Sequence, residues 1–172
     1  RDVGADLSRD LAPAAQLGRA KRLDDAQGRY TEFVKQTFPK GLRLDGLKLV
    51  VDCAHGAAYK STPCVLRELG AEVVVYGNQP DGMNINKDCG SMHPDHLCRK
   101  VQEHGAQLGI AHDGDADRVL FCDETGTLID GDDILAMAAL ELLAQGRLQE
   151  NTLVATVMSN AGLDAAINAA GG

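Results

Sequence analysis

Three aspartates, Asp113, Asp115 and Asp117, stand at alternate positions in residues 111–120, AHDGDADRVL, with only glycine and alanine between them and Arg118 directly after. In an extended segment residues i, i+2 and i+4 point the same way. The three carboxylates are therefore expected to converge, with Gly114 and Ala116 leaving the backbone free to bend around them. Converging carboxylates repel one another unless a cation sits among them. Hard oxygen donors favour Mg2+ or Ca2+, and an Mg2+ held by few protein groups keeps positions for water or phosphate. The guanidinium of Arg118 suits the same chemistry, because it can grip a phosphate through two donors beside the metal. A solvated acidic turn is the plain alternative, and three carboxylates in alternation at a strand end argue against it.

Other residues offer competing chemistry. With Asp113 as the first position of a calcium loop, aspartates fall at the first, third and fifth positions and Glu124 at the last, close to an EF-hand. Arg118 then occupies the place where the sharp turn needs glycine, and Gly105 and Gly109 spoil the helix that should lead in. Downstream, DETGTLID (123–130) resembles the phosphorylated-aspartate motif of P-type pumps, Asp-Lys-Thr-Gly-Thr-Leu-Thr, with Glu124 and Ile129 departing from it. The preferred reading of that segment is a tight hairpin turn with Gly126 at a positive φ. Cys89, His93, His96 and Cys98 are all zinc-capable, yet they lack paired ligand spacing around a long loop, so surface and helix-cap roles are expected.

The elements that must position the aspartates follow from hydrophobic period. Helix formers run from about 18 to 38, although Gly28 weakens the middle. LKLVVDC (47–53) reads as a buried strand, and Thr62-Pro63 as a cap and first-turn proline of a helix that Gly70 closes. AEVVVY (71–76) is the next strand, and a long polar loop follows. Pro94 opens a helix ending at Gly105, and AQLGIAH (106–112) is a short strand carrying the aspartates off its C-terminal end. Then come a hairpin (RVLFCD, ETG, TLID), a helix over 130–146 with acidic residues in its first turn, a strand at TLVATVM (152–158) and a helix over 160–170. Strands separated by helices predict an α/β architecture: mixed, mainly parallel sheets with helices on both faces, and a site beyond the C-terminal strand ends. The division expected is a connector at 1–18, one nearly whole domain at 19–118 and the start of a second at 119–172.

Composition removes several function classes. The chain has 172 residues, 44% hydrophobic, with 17 Lys+Arg against 25 Asp+Glu and a net charge of −8. That leaves no basic field for nucleic acid or anionic lipid. No apolar run approaches a spanning helix and no export layout opens the chain, so neither nucleic acid nor membrane is an expected partner, and a cytoplasmic location is expected. The five cysteines form no CxxC pair, which suits reduced thiols used for packing. The chain opens on Arg1 and stops at AINAAGG, as if cut from something longer.

DGDADR (113–118) resembles the metal loop of the α-D-phosphohexomutases. VVDCAHGAAY, PDGMNIN, CGSMHP and VATVMSN extend the resemblance from about Gly18 to the end, and bring it closest to the bacterial branch acting on glucosamine phosphate. Met92 departs from that pattern, which has threonine between Ser91 and His93. The resemblance implies an enzyme with Mg2+ as cofactor and a phosphosugar as substrate, moving phosphate between O6 and O1 of glucosamine phosphate for cell-wall precursors. A phosphoserine would donate its phosphoryl group, the bisphosphate would reorient, and the other phosphate would return. By resemblance Asp113, Asp115 and Asp117 ligate Mg2+, with Arg118 as the phosphate clamp. The phosphoserine, sugar and phosphate loops of the family have no match in the sequence, so the chain is expected to be the second domain and the opening of the third, inactive alone. The alternatives are a phosphoglucomutase or phosphomannomutase of the same superfamily, and a stand-alone Ca2+-type binding module.

Overall fold

A computed structural model describes residues 11–172; most of the expected N-terminal connector, residues 1–10, lies outside them. The elements run α1 (Ala26–Thr37), β1 (Lys48–Asp52), α2 (Ser61–Glu68), β2 (Glu72–Tyr76), α3 (Pro94–His104), β3 (Leu108–His112), β4 (Val119–Asp123), β5 (Leu128–Ile129), α4 (Gly131–Ala144) and α5 (Ala161–Ala169). The strands make one mixed sheet in the order β2-β1-β3-β4-β5. β1 lies parallel to β2 and β3, and the β3–β4 and β4–β5 pairs are antiparallel. The division drawn between Arg118 and Val119 runs through this sheet, because β4 pairs with β3 from His112↔Val119 to Leu108↔Asp123.

Alternation along the strands supplies both faces of the sheet. Val50, Val74 and Ala111 pack with Leu97 and Val101 of α3 and with Cys122. Val51, Val73, Val75 and Ile110 pack on the opposite face with Tyr59, Leu66 of α2 and Phe121. The helices therefore cover both faces, as the α/β pattern requires. A separate small cluster joins α4 to α5 through Ala139, Leu163 and Ile167.

Local signals explain both ends of α3 and the start of α4. Pro94 sits in the first turn of α3, and Gly105, left-handed at φ 58°, closes it. Asp130 caps α4 by accepting from the N–H groups of Asp132 (2.9 Å) and Asp133 (3.0 Å), and Asp133 accepts in return from the N–H of Asp130 at 3.0 Å, a reciprocal capping box.

Three expectations are corrected. The first helix begins at Ala26 rather than near Gly18. Every residue from 11 to 30 is exposed, so the apolar positions ahead of Ala26 have no core to bury against, and spacing without burial does not hold a helix. The second helix starts at Ser61 behind Lys60, which makes no side-chain cap, so Pro63 lies inside the first turn, where its missing N–H is not needed. Residues 152–158 form no strand: Val154, Val157 and Met158 are exposed, and a turn closes where the N–H of Ser159 donates to Thr156 O at 3.1 Å. A strand exists through its partners, and the sheet, β2-β1-β3-β4-β5, takes no strand from this segment. No helix among the described residues is long and apolar enough to cross a membrane.

Candidate metal centre

β1 and β3 run parallel and side by side, so the loops leaving their C-terminal ends meet. The loop leaving β3 carries residues 113–118 and returns as β4. The loop leaving β1 is bent by two consecutive left-handed residues, Ala54 (φ 52°) and His55 (φ 50°). Both conformations are unfavourable for residues with a β-carbon. Asp52, 1% exposed at the end of β1, holds the bend. Its Oδ1 accepts from the N–H of Ala54 and its Oδ2 from the N–H of Gly90, each at 2.9 Å. A buried carboxylate satisfied by backbone donors pins two loops at once.

That bend presses Gly56 onto Gly114: a β-carbon at 56 would collide with the Gly114 carbonyl oxygen. The N–H of Ala57 donates to the same oxygen at 2.8 Å. From the other side a β-carbon on Gly114 would come within 2.6 Å of Ile85 and 2.9 Å of Asn86. The aspartate loop is thus gripped between residues 54–57 and 85–86.

Within this grip one ligand oxygen from each of Asp113, Asp115 and Asp117 lies within 4.8 Å of the others. The convergence is as expected, but its cause is not alternation along an extended segment. Residues 113–118 form a turn in which Ala116 is left-handed at φ 60° and its N–H donates to Asp113 O at 3.1 Å. Asp113 is buried, whereas Asp115 and Asp117 are exposed.

Arg118 is committed to Asp113. Its backbone N–H donates to Oδ1 at 3.1 Å, Nε donates to Oδ2 at 2.9 Å, and Nη2 lies 2.8 Å from the same oxygen in an ion pair. Nε also lies 3.6 Å from Asp117 Oδ1. Burial pushes the Asp113 carboxyl up, but the hydrogen bonds and charge of Arg118 outweigh it and hold the group below the usual carboxylate range. Asp117 is pushed up, first by its hydrogen bond with Asp113 and then by the charges of Asp115 and Asp113. The cluster without a cation is therefore short of positive charge at its exposed end, and its donor set of three hard oxygens fits Mg2+.

Asp52, Gly56 and Asn86 were not singled out from the sequence. An acidic residue closing the apolar run LVVD was the one visible signal. His112 also enters the site: its Nε2 lies 3.1 Å from Thr62 Oγ1, tying the end of β3 to α2, and burial holds its pKa below the ordinary imidazole value. A cleft of roughly 870 Å3 opens beside the loop, lined in part by Tyr30, Lys60, Thr62, His112, Asp115 and Arg118.

The competing sites do not assemble. Among the described residues the aspartate triad is the only group of three or more His, Cys, Asp or Glu side chains close enough to hold one ion. Cys89 is buried and Cys98 packs into the α3 core with Cys122, which removes the zinc reading. Glu124 follows strand β4, so no continuous calcium loop reaches it. Asp123 is a turn cap, its Oδ1 accepting from the N–H of Thr125 (2.9 Å), the Thr125 hydroxyl (2.7 Å) and the N–H of Thr127 (2.8 Å). Gly126 at φ 85° completes that hairpin.

Burial pushes the thiols of Cys53 and Cys122 up to about 12 and that of Cys89 up to about 11. Ellman's reagent at pH 8 is accordingly expected to label native protein quickly at no more than the half-buried Cys64 and Cys98. All five thiols should react only in denaturant. Fast native labelling of Cys53 would contradict this packing.

The fold and the site together define a mixed α/β protein that presents a loop of three converging aspartates beyond the C-terminal ends of its parallel strands. The family model for phosphoglucomutase/phosphomannomutase alpha/beta/alpha domain II matches residues 28–126, and that for domain III matches residues 130–172. The chain belongs to the phosphoglucomutase/phosphomannomutase family. It is 62% identical over 163 residues to a phosphoglucosamine mutase of Geobacter sp. (strain M21), a match covering 94% of this chain and 36% of that relative. The chain thus spans about 36% of that relative's length. Among solved structures, a phosphoglucomutase/phosphomannomutase family protein from Burkholderia thailandensis matches with a TM-score of 0.58 and 30% identity, over 70% of this chain and 26% of that one. An Aspergillus fumigatus N-acetylphosphoglucosamine mutase, solved in complex with GlcNAc-6P and magnesium, is alike in fold, with a TM-score of 0.50 and 23% identity over 77% of this chain and 28% of that one.

Proposed function

We propose that this chain is the metal-loop portion of a phosphoglucosamine mutase that interconverts glucosamine 6-phosphate and glucosamine 1-phosphate through a phosphoserine and a bisphosphate intermediate. The observation that carries the reading is the convergence of the Asp113, Asp115 and Asp117 carboxylates within 4.8 Å at the sheet edge. The likeness to the Geobacter relative supports the choice of sugar.

Asp113, Asp115 and Asp117 would hold Mg2+, which neutralises oxygen charge on a phosphoryl group in transfer. The chain's own residues prepare that site. Arg118 fixes Asp113 in one orientation through Nε and Nη2, and its Nη1 would meet a phosphate oxygen. Asp52 and Gly56 hold the loop in place from behind, so that the ligands need little reorganisation when a cation arrives. The remaining length of the enzyme would supply the serine nucleophile and the groups that hold the sugar. The substrate would reach the triad from the cleft beside it.

A coupled assay of the full-length protein tests this. Glucosamine 6-phosphate with a bisphosphate primer and Mg2+ should turn over faster than glucose 1-phosphate or mannose 1-phosphate. Preference for glucose or mannose phosphate would move the protein to another branch of the family. Residues 1–172 alone should show no turnover, because a nucleophile must be held a few ångströms from its acceptor, and only weak Mg2+ binding, because the phosphoserine that would complete the ligand set is absent. Tight Ca2+-selective binding by residues 1–172 would instead favour a stand-alone calcium module.

A further inference from the structure

Asn86 lies where the long loop after β2 passes behind the aspartate loop. Its backbone is left-handed, φ 58°, a conformation that asparagine tolerates and glycine adopts freely. Its N–H donates to Ala54 O at 2.9 Å, which ties it to the bend that Asp52 maintains. Its side chain faces Gly114, whose β-carbon, were there one, would lie 2.9 Å from Asn86 Nδ2. Its Oδ1 is shut off from solvent and has no hydrogen-bond partner. An unmet buried amide oxygen is costly. A position needing only a left-handed backbone would be served by glycine without that cost. What the side chain lies against is the glycine between Asp113 and Asp115.

We infer that Asn86 is a positioning residue of the aspartate loop: its amide, wedged against Gly114 while its backbone is tied to Ala54, sets the turn on which Asp113, Asp115 and Asp117 converge. The inference rests on reading that triad as an Mg2+ site. It separates two roles that a structure alone joins, the backbone conformation at 86 and the side chain's contact with the loop. Glycine keeps the first and deletes the second. Aspartate keeps the shape of the side chain and also tolerates a left-handed backbone.

The test is calorimetric titration of the full-length protein with Mg2+, together with the rise in Tm that Mg2+ produces, read against each variant's own metal-free Tm. Asn86→Gly should keep a metal-free Tm close to that of the parent, while its dissociation constant for Mg2+ rises about 10-fold, the scale on which residues supporting metal ligands act. Its Mg2+-induced rise in Tm should shrink in step. Asn86→Asp should bind Mg2+ at least as tightly as the parent. Unchanged Mg2+ affinity in Asn86→Gly overturns the inference, as does an Asn86→Asp variant that binds no better than the glycine one. Should Asn86→Gly lose stability, the Mg2+-induced increment still decides the matter. A parent that binds no Mg2+ removes the reading of the triad and this inference with it. A parent that binds normally, with Asn86→Gly unchanged, removes this inference alone.

Discussion

Asp115→Asn in the full-length enzyme is expected to lower Mg2+ affinity and turnover together, with excess Mg2+ restoring part of the rate. Asp115 is an exposed member of the triad, so its replacement removes a ligand charge without opening the core. Asparagine keeps the shape and one oxygen but not the charge that Mg2+ selects. Lost stabilisation of this kind costs on the order of 10²-fold in rate, about 2.7 kcal/mol. Arg118→Lys should behave differently. Lysine keeps the charge but loses the planar fork that holds Asp113 through Nε and Nη2 and could reach a phosphate at the same time. Saturating Mg2+ refills the metal position but cannot restore that two-sided grip, so rescue of Arg118→Lys should fall well short of the rescue of Asp115→Asn. A Mg2+ titration of the rate for both variants decides it. Equal rescue would confine the arginine to arranging Asp113.

That division of labour was only half legible in the sequence. The position of the acidic loop followed from short-range signals: an apolar strand, three acidic residues and a return strand with a hairpin turn at Asp123 to Gly126. Pro94 and Gly105 likewise bounded α3 by local backbone chemistry. What failed was of two kinds. Apolar spacing near Gly18 and in residues 152–158 suggests a helix and a strand, whereas residues 11–25 are all exposed and the sheet pairs no strand with residues 152–158. The other kind concerns the cause of convergence. Alternation suggested that Asp113, Asp115 and Asp117 share one face of an extended chain, whereas the left-handed Ala116 folds them together in a turn. The residues that enforce the turn are distant in sequence, as the Asp52 bond to Gly90 across 38 positions illustrates. No periodicity reports contacts of that range.

Gly56→Ala is the sharpest probe of those distant contacts. The glycine needs no special backbone angle, so its requirement is spatial: a β-carbon at 56 meets the carbonyl oxygen, carbonyl carbon and Cα of Gly114, all backbone atoms. No rotamer change relieves a clash with backbone. Either the β1 bend or the aspartate loop must move, at a cost of about 1–3 kcal/mol for overpacking. Displacing ligands by about 1 Å costs on the order of 10²-fold in rate. Gly114→Ala offers the comparison, because its β-carbon would meet Ile85 Cδ1 and Cγ1 and the Asn86 amide, which are side-chain atoms. Trimming Ile85 to alanine removes both of the Ile85 atoms concerned. The double variant Gly114→Ala with Ile85→Ala should therefore recover part of the Tm and Mg2+ affinity lost by Gly114→Ala, a favourable coupling between neighbours. Gly56→Ala combined with Ile85→Ala should recover neither, since Ile85 is not what blocks position 56. Recovery in that second pair would mean that the aspartate loop is held by side-chain packing alone, and that the backbone contact between Gly56 and Gly114 is incidental.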